Sequence, residues 1–195
     1  MAAKFAVTGD QYMVIDRRMK EIKRQLRQEG GSPLDTELVA RALQDIVEGR
    51  FSVPHTYPVT VDYGMTLGDM VAAGGYDAKN DYITQENFPI TGAGMVEVEF
   101  HLVHLNRYAS TDAALVELNR QGFRPAKIEE LLAFGARYKN LQKEFPIVAL
   151  GSVWQSRSGD RLVANLDYWD GERNLVLGWV GYVWHEPYRF LAVRK

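Results

Sequence analysis

The chain has 195 residues and a formal net charge of −2, and 46% of its residues are hydrophobic while 25% are charged. These values are typical of one globular domain, or of one domain with a small appendage, and argue against wholesale disorder. The absence of cysteine excludes disulfides, thiolate metal sites and a cysteine nucleophile, and the near-neutral charge gives no general attraction to nucleic acid.

The N-terminal region, residues 1–50, predicts two amphipathic helices. Residues 10–29 carry a stripe of apolar side chains at helical spacing, namely Ile15, Met19, Ile22 and Leu26. The opposite face is basic, but interspersed acidic residues favour a solvated face over a nucleic-acid-binding helix. Gly30 ends this helix, and a second helix begins at Ser32 and ends at Gly49. Such short helices need a surface to pack on, so this region is predicted to support, tether or oligomerise the rest.

Residues 51–94 predict an ordered connector, because they are rich in Pro, Gly, Tyr and Asp and lack sustained periodicity. A short strand over 57–61 and a short helix over 66–73 are expected within it. Its acidic residues lack the spacing of a calcium loop, so no metal is predicted. Neither a signal peptide nor an apolar run of about 20 residues is found, which predicts no membrane span and, by default, a cytoplasmic protein.

Residues 95–195 predict an α+β domain with helices beside an antiparallel sheet. The strand over 95–105 alternates apolar and polar residues, and Ser110 caps the helix that follows it. A second helix is predicted over 127–142. Four further strands are predicted over 146–154, 161–168, 173–180 and 188–194.

No group of residues in the sequence forms a recognisable catalytic or metal-binding motif. His101 and His104 are three residues apart on a predicted strand and face opposite sides, so they cannot chelate one metal ion together. His55 and His185 lie in predicted loops without partners. No nucleophile elbow, phosphate-binding loop, dinucleotide fingerprint or zinc-binding helix is found. The sequence therefore predicts no catalytic residue, no cofactor and no metal.

All four tryptophans fall in one C-terminal stretch, at positions 154, 169, 179 and 184. In the strand over 173–180, Leu175, Leu177 and Trp179 occupy alternate positions and are expected to point into the core. The positions between them then face outward. This alternation predicts a rigid frame of Leu and Trp with a mixed surface on its other side.

The outward positions of the tail are the candidate ligand-binding residues. They are rich in Tyr, Ser, Asn and Gly, which is typical of adaptable recognition surfaces. Composition alone is equally compatible with an ordinary exposed sheet edge. The candidates are Ser156, Arg157, Ser158, Asp160, Asn165, Asp167, Tyr168, Asn174, Val176, Gly178, Gly181, Tyr182, His185, Pro187 and Tyr188.

Two motifs resemble a known fold family. GFRPA at 122–126, followed by IEELL at 128–132, resembles the start of the second helix in C-type-lectin-like domains of the formylglycine-generating-enzyme type. YRFLAVR at 188–194 resembles their closing strand. The resemblance implies a C-type-lectin-like domain at 95–195, with antiparallel sheets, two helices and paired first and last strands.

The tail from 149 to 194 also resembles the variable proteins of diversity-generating retroelements, those of bacteria of the candidate phyla most closely, and the similarity extends upstream through the N-terminal helices. In that family an error-prone reverse transcriptase diversifies codons such as AAC. These codons do not become Trp or Gln codons, so Trp154, Trp179, Trp184 and Gln155 are expected to be constant frame. The resemblance implies a non-enzymatic, hypervariable protein that binds an unknown macromolecule by protein–protein interaction.

Departures from neighbouring families limit what carries over. Formylglycine-generating enzymes use a cysteine pair, which this chain lacks. Calcium-dependent lectins use an amide ligand where this chain has Glu186-Pro187-Tyr188, so calcium-dependent sugar binding is not expected.

Two functions from other classes stay open. One is a small-molecule enzyme that uses Asp62, Asp77 or Asp81 as catalytic carboxylates. The other is a structural protein whose tail is an assembly interface centred on Tyr182 and Tyr188.

Overall fold

The computed structural model describes residues 8–28, 31–48 and 56–195. The chain divides into two compact units, residues 1–53 and residues 54–195. The predicted helix ends at Gly30 and Gly49 lie outside the described residues, and so does the predicted loop at His55. Within the described ranges, none of the helices has both the length and the apolar character needed to cross a membrane.

The first unit contains the two predicted helices, α1 (Gly9–Leu26) and α2 (Thr36–Val47). The Thr8 side chain caps α1, and Gln11 returns a hydrogen bond to the Thr8 backbone. The second helix begins later than predicted because the Ser32 hydroxyl is bonded to the Leu34 backbone in a turn. The Asp35 carboxylate accepts from the Glu37 N–H instead and caps α2.

The second unit is a mixed α+β unit, as predicted, with three α-helices and ten strands in its described residues. Its helices are α3 (Leu67–Gly74), α4 (Thr111–Arg120) and α5 (Ile128–Arg137). Its strands are β1 (Thr56–Asp62), β2 (Ala78–Lys79), β3 (Met95–His104), β4 (Ala109–Ser110), β5 (Phe123–Pro125), β6 (Ile147–Gln155), β7 (Arg161–Trp169), β8 (Glu172–Trp179), β9 (Val183–Trp184) and β10 (Arg189–Arg194). The helix predicted over 127–142 ends at Arg137, and a single 3₁₀ turn (Leu141–Lys143) follows.

The main sheet has the strand order β1-β3-β10-β6-β7-β8-β2, and β5 pairs with β10. Strands β3 and β10 pair antiparallel, as expected for the first and last predicted strands. The sheet is mixed rather than wholly antiparallel, because β10 runs parallel to β6 and β2 runs parallel to β8. Strand β10 lies between β3 and β6 and pairs with both, antiparallel to β3 and parallel to β6.

Residues 56–94, the described part of the connector predicted over 51–94, contribute strands and core residues to the second unit. Strand β1 pairs with β3 along its whole length, and α3 packs against α5. Val61 and Phe88 are fully buried in the same apolar cluster as Phe100 of β3. Strand β1 is one residue longer at each end than the strand predicted over 57–61, and it tolerates Pro58 because it lies at an edge of the sheet.

Both faces of the central strands are buried. One face packs against α3 and α5 in an apolar cluster that includes Leu131 and Phe134 of α5, Leu166 of β7 and Leu175 of β8. The other face carries a second apolar cluster that includes Leu118, Val148, Val163, Trp184 and Phe190. The face that the sequence predicts to be open is therefore partly covered, because Trp184 of β9 and Leu118 of α4 belong to this second cluster.

The GFRPA–IEELL motif forms a partly buried ion pair at the start of α5. The Arg124 guanidinium donates two hydrogen bonds of 2.7 and 2.9 Å to the carboxylate of Glu130. The Lys127 N–H and the Tyr63 hydroxyl also donate to this carboxylate. Glu130 is buried, so these donors replace the water that the carboxylate loses. The motif has a structural role in fixing the N-terminus of α5.

His101 gives the second unit an expected pH dependence. Its imidazole is buried against the Phe123 ring, 4.6 Å between centroids. Burial, helped by the nearby Arg194 cation, lowers the pKa of His101 below its ordinary value of 6.5. The folded state thus favours the neutral ring, so its stabilisation is complete above about pH 6.5 and is lost as the pH falls through the lowered pKa. The unfolding free energy of wild type should therefore fall more steeply below about pH 6.5 than that of His101→Gln.

Denaturant titrations across this pH range measure the difference. The two proteins should give parallel curves above about pH 7, where the histidine is neutral in both the folded and unfolded states. Equal slopes below that pH would show that the folded state does not disfavour the protonated ring of His101.

Candidate ligand-binding groove

An open cavity of about 1010 Å³ lies at the end of the sheet where β6, β7 and β8 meet the loop that follows β2. Its walls come from three segments: residues 81–87, the β6–β7 turn at 155–160, and the chain from Trp179 to Tyr182. We call this cavity the groove. Its volume is at the upper end of the range for small-molecule and cofactor sites.

Four aromatic rings line the groove in two pairs. Tyr82 stacks on Trp154 with 5.1 Å between centroids, and Trp179 meets Tyr182 edge to face at 4.9 Å. Tyr82 is 61% exposed and Tyr182 60% exposed. Aromatic side chains that are exposed to this extent offer a ligand a large contact area with few rotatable bonds.

Trp179 does not point into the core as predicted, since it is 41% exposed. The alternation along β8 is correct, because Leu175 is fully buried on the same face. Trp179 is the last residue of β8 and lines the groove, whereas Leu175 packs in the cluster formed with α3 and α5. Trp184, in contrast, is buried and donates its Nε1–H to the Thr111 hydroxyl at 2.9 Å, as a frame residue should.

The β6–β7 turn is held in shape by its own hydrogen bonds. The Ser156 N–H donates to the Asp160 carbonyl at 2.8 Å, and the Ser158 hydroxyl donates to the Asp160 carboxylate at 2.7 Å. Gly159 has a φ of 91°, which only glycine adopts easily. Arg157 is exposed in this turn and makes no hydrogen bond or ion pair with any described residue.

The opposite wall is anchored to the core. Ile83 within the segment and Phe88 directly after it are buried, and the Asn80 N–H donates to the Leu175 carbonyl of β8 at 2.9 Å. The Asn87 side-chain amide donates to the Tyr82 carbonyl at 2.8 Å. The backbone that carries Tyr82 is therefore preorganised, which reduces the entropy lost on binding.

The structure brings five of the candidate residues together in the groove. They are Ser156, Arg157, Ser158, Asp160 and Tyr182. Gly181 lines a smaller cavity of about 430 Å³ that shares Asp160, Trp179 and Tyr182 with the groove.

Five other candidates lie along β7 and β8 on the face of the second apolar cluster. They are Asn165, Asp167, Asn174, Val176 and Gly178. Asn165 is only 3% exposed, and its Oδ1 has no hydrogen-bond partner among the described residues. A Cβ added at Gly178 would lie 2.9 Å from the Trp184 ring. This face therefore offers little free contact surface at Asn165 and little room for larger side chains at Gly178.

The remaining candidates are scattered. Tyr168 is exposed near the β7–β8 turn, and His185 and Pro187 are exposed between β9 and β10. Tyr188 is half-buried with its ring 5.3 Å from that of Trp184. Burial, with a smaller contribution from Asp167, raises the pKa of Tyr188. Tyr188, a candidate ligand-binding residue, thus packs against Trp184 and exposes only part of its ring.

Sequence reasoning missed the wall formed by residues 81–87. Tyr82 and Asn87 were not candidates. Glu86 was considered only as a calcium ligand, and Asp81 only as a calcium ligand or a catalytic carboxylate. The sequence DYITQEN at 81–87 gives one indication of this wall, an aromatic residue among mostly polar ones. This pattern alone does not show which part of the protein Tyr82 faces. Trp154 and Gln155, predicted as frame, also line the groove.

The three carboxylates proposed for an enzyme lie in separate places. The Asp62 carboxylate accepts from the Gly64 N–H, and that of Asp77 accepts from the Arg173 N–H at 2.8 Å. Only Asp81 lines the groove. Over the described ranges, no three His, Asp or Glu side chains are placed to hold a metal ion.

Comparison of the chain with protein-family models, with curated proteins and with solved structures gave no match.

Proposed function

We propose that the protein is a non-enzymatic binding protein that holds a macromolecular target in the groove. The observation that carries this proposal is the pair of exposed aromatic side chains, Trp179 and Tyr182, beside Tyr82 on preorganised backbone. Contact residues of this type dominate the free energy of protein–protein binding, and rigid backbone lowers the entropic cost.

We further propose that the second unit is a C-type-lectin-like domain and that the protein is a variable protein of a diversity-generating retroelement. It is supported by the sequence resemblance, by the pairing of β3 with β10 and by the two helices α4 and α5 between β3 and β6. Arg157 and Tyr182 are exposed residues at which substitution would change the binding surface without disturbing the core. Both are positions that the resemblance allows to vary.

Selection of random peptides on the immobilised protein tests the binding function. The variant Trp179→Ala/Tyr182→Ala should bind the selected peptides at least about tenfold more weakly, because two exposed aromatic contacts are lost. Trp169→Ala is the matched control, since Trp169 is 76% exposed but lies at the opposite end of the β7–β8 hairpin. An equal loss in the control, or no selected peptide at all, would contradict a binding role for the groove.

Sequencing of the gene neighbourhood tests the retroelement assignment separately. It predicts a near-copy of the codons for residues 150–194 beside a reverse transcriptase gene, with the two copies differing at adenines. Relatives that vary evenly across residues 54–195, with no such repeat, would contradict it.

A further inference from the structure

The groove has an excess of negative charge. Asp81 and Glu86 lie on one wall and Asp160 on the other, while Arg157 is the only cationic side chain among the lining residues. The carboxylates of Asp81 and Glu86 make no hydrogen bond or ion pair with any described residue. They are therefore available to a ligand, and an acidic ligand would be repelled.

The aromatic rings add an attraction for the same kind of ligand. The faces of Trp and Tyr rings are electron-rich and attract ammonium and guanidinium groups. The same chain already shows this contact, since the Arg173 guanidinium lies over the Tyr76 ring at 5.0 Å and that of Arg189 over Phe145 at 4.7 Å. A groove that carries exposed rings together with the unpaired carboxylates of Asp81 and Glu86 is thus suited to a cationic side chain.

Resting on the proposed function of the groove, we propose that its ligand is a basic peptide segment. A lysine or arginine side chain would lie against Trp179 or Tyr182, with its charge close to Asp160. A second cation along the same segment would meet Asp81 and Glu86. The groove is large enough for several residues. A neutral ligand could use the rings but would leave the unpaired carboxylates without a role.

Three synthetic peptides of one length test the charge preference directly. Each has the pattern X-Gly-Tyr-Gly repeated twice, with Lys, Gln or Glu at X, and binding is followed by NMR titration at low salt. The Lys peptide should bind about tenfold more tightly than the Gln peptide, the Glu peptide should bind most weakly, and high salt should reduce these differences.

Charge variants separate this preference from a general loss of structure. Asp81→Asn/Glu86→Gln should weaken the Lys peptide about fivefold, while Asp170→Asn, at the distant β7–β8 turn, should leave it unchanged. Arg157→Gln should strengthen the Lys peptide about twofold. A gain of affinity cannot come from misfolding.

The outcomes distinguish the two proposals. If the Gln and Lys peptides bind equally and Trp179→Ala weakens both, the groove binds ligands but the preference for cations is wrong. If none of the three peptides binds while randomly selected peptides do, the basic class is again wrong and the binding function stands. If neither kind of peptide binds, both proposals fail.

Discussion

Replacing Arg173 with methionine is expected to destabilise the second unit by about 3–5 kcal/mol. The guanidinium is buried and donates to the carbonyls of Gly74 and Gly75 at the end of α3, at 2.7 and 3.0 Å. It also donates to the Gly135 carbonyl of α5 and to the Gln142 side chain. Methionine fills a similar volume but has no donor, so these acceptors would be left buried without partners.

Denaturant unfolding followed by tryptophan fluorescence measures this loss, because all four tryptophans lie in the second unit. Arg157→Met is the matched control, since Arg157 is exposed and unpaired, and it should change stability by less than about 0.5 kcal/mol. Arg173→Lys should recover only part of the stability, because an ammonium group cannot reach the same acceptors as the planar guanidinium. A Met variant within about 1 kcal/mol of wild type would contradict the role assigned to Arg173.

Gly151→Ala is expected to cost about 2–4 kcal/mol, although it adds one methyl group. A Cβ at position 151 would lie 2.5 Å from the Ala126 carbonyl oxygen, which is backbone and cannot rotate away. The Ala126 carbonyl accepts from the Gly151 N–H at 2.8 Å, and the Ala126 N–H donates to the Leu191 carbonyl at 2.9 Å. The methyl group would therefore disturb the junction of β6, β10 and the start of α5.

Gly68→Ala is the control for Gly151→Ala. Its added Cβ would have an ordinary contact of 3.8 Å with the Thr66 hydroxyl, and alanine is the better helix former in α3. The control should be neutral or up to about 1 kcal/mol more stable than wild type. Equal unfolding free energies for the two variants would show that the chain can shift at Ala126 without cost.

The sequence predicted helices and strands correctly where the local pattern of apolar and capping residues agrees with the packing. Apolar spacing located α1, and Ser110 was correctly assigned as the cap of α4, where its hydroxyl accepts from the Ala113 N–H. Alternation also placed Leu175 and Leu177 of β8 correctly against the core, but not Trp179, which is exposed at the end of the strand. The place of β1 in the sheet was not predictable, because its partners in β3 are 33 to 45 residues further along the chain and such a distant pairing leaves no local pattern.

The candidate site was less predictable, since alternation shows which residues share a face but not what covers that face. Asn165 and Ser156 have similar polarity, yet Trp184 and its neighbours bury the first while the second lines the groove. Trp179 shows the reverse case, because an apolar position becomes part of a binding surface at the end of a strand. The wall carrying Tyr82 comes from a segment far away in the chain, and only the tertiary fold places it opposite Arg157.

Chemical-shift mapping of the amides with a selected peptide tests the central claim most directly. The account predicts that the largest shifts fall in residues 81–87, 155–160 and 179–182, the three walls of the groove. Shifts confined to β7 and β8 around Asn165 and Val176, or to the first unit, would place binding elsewhere and contradict the account.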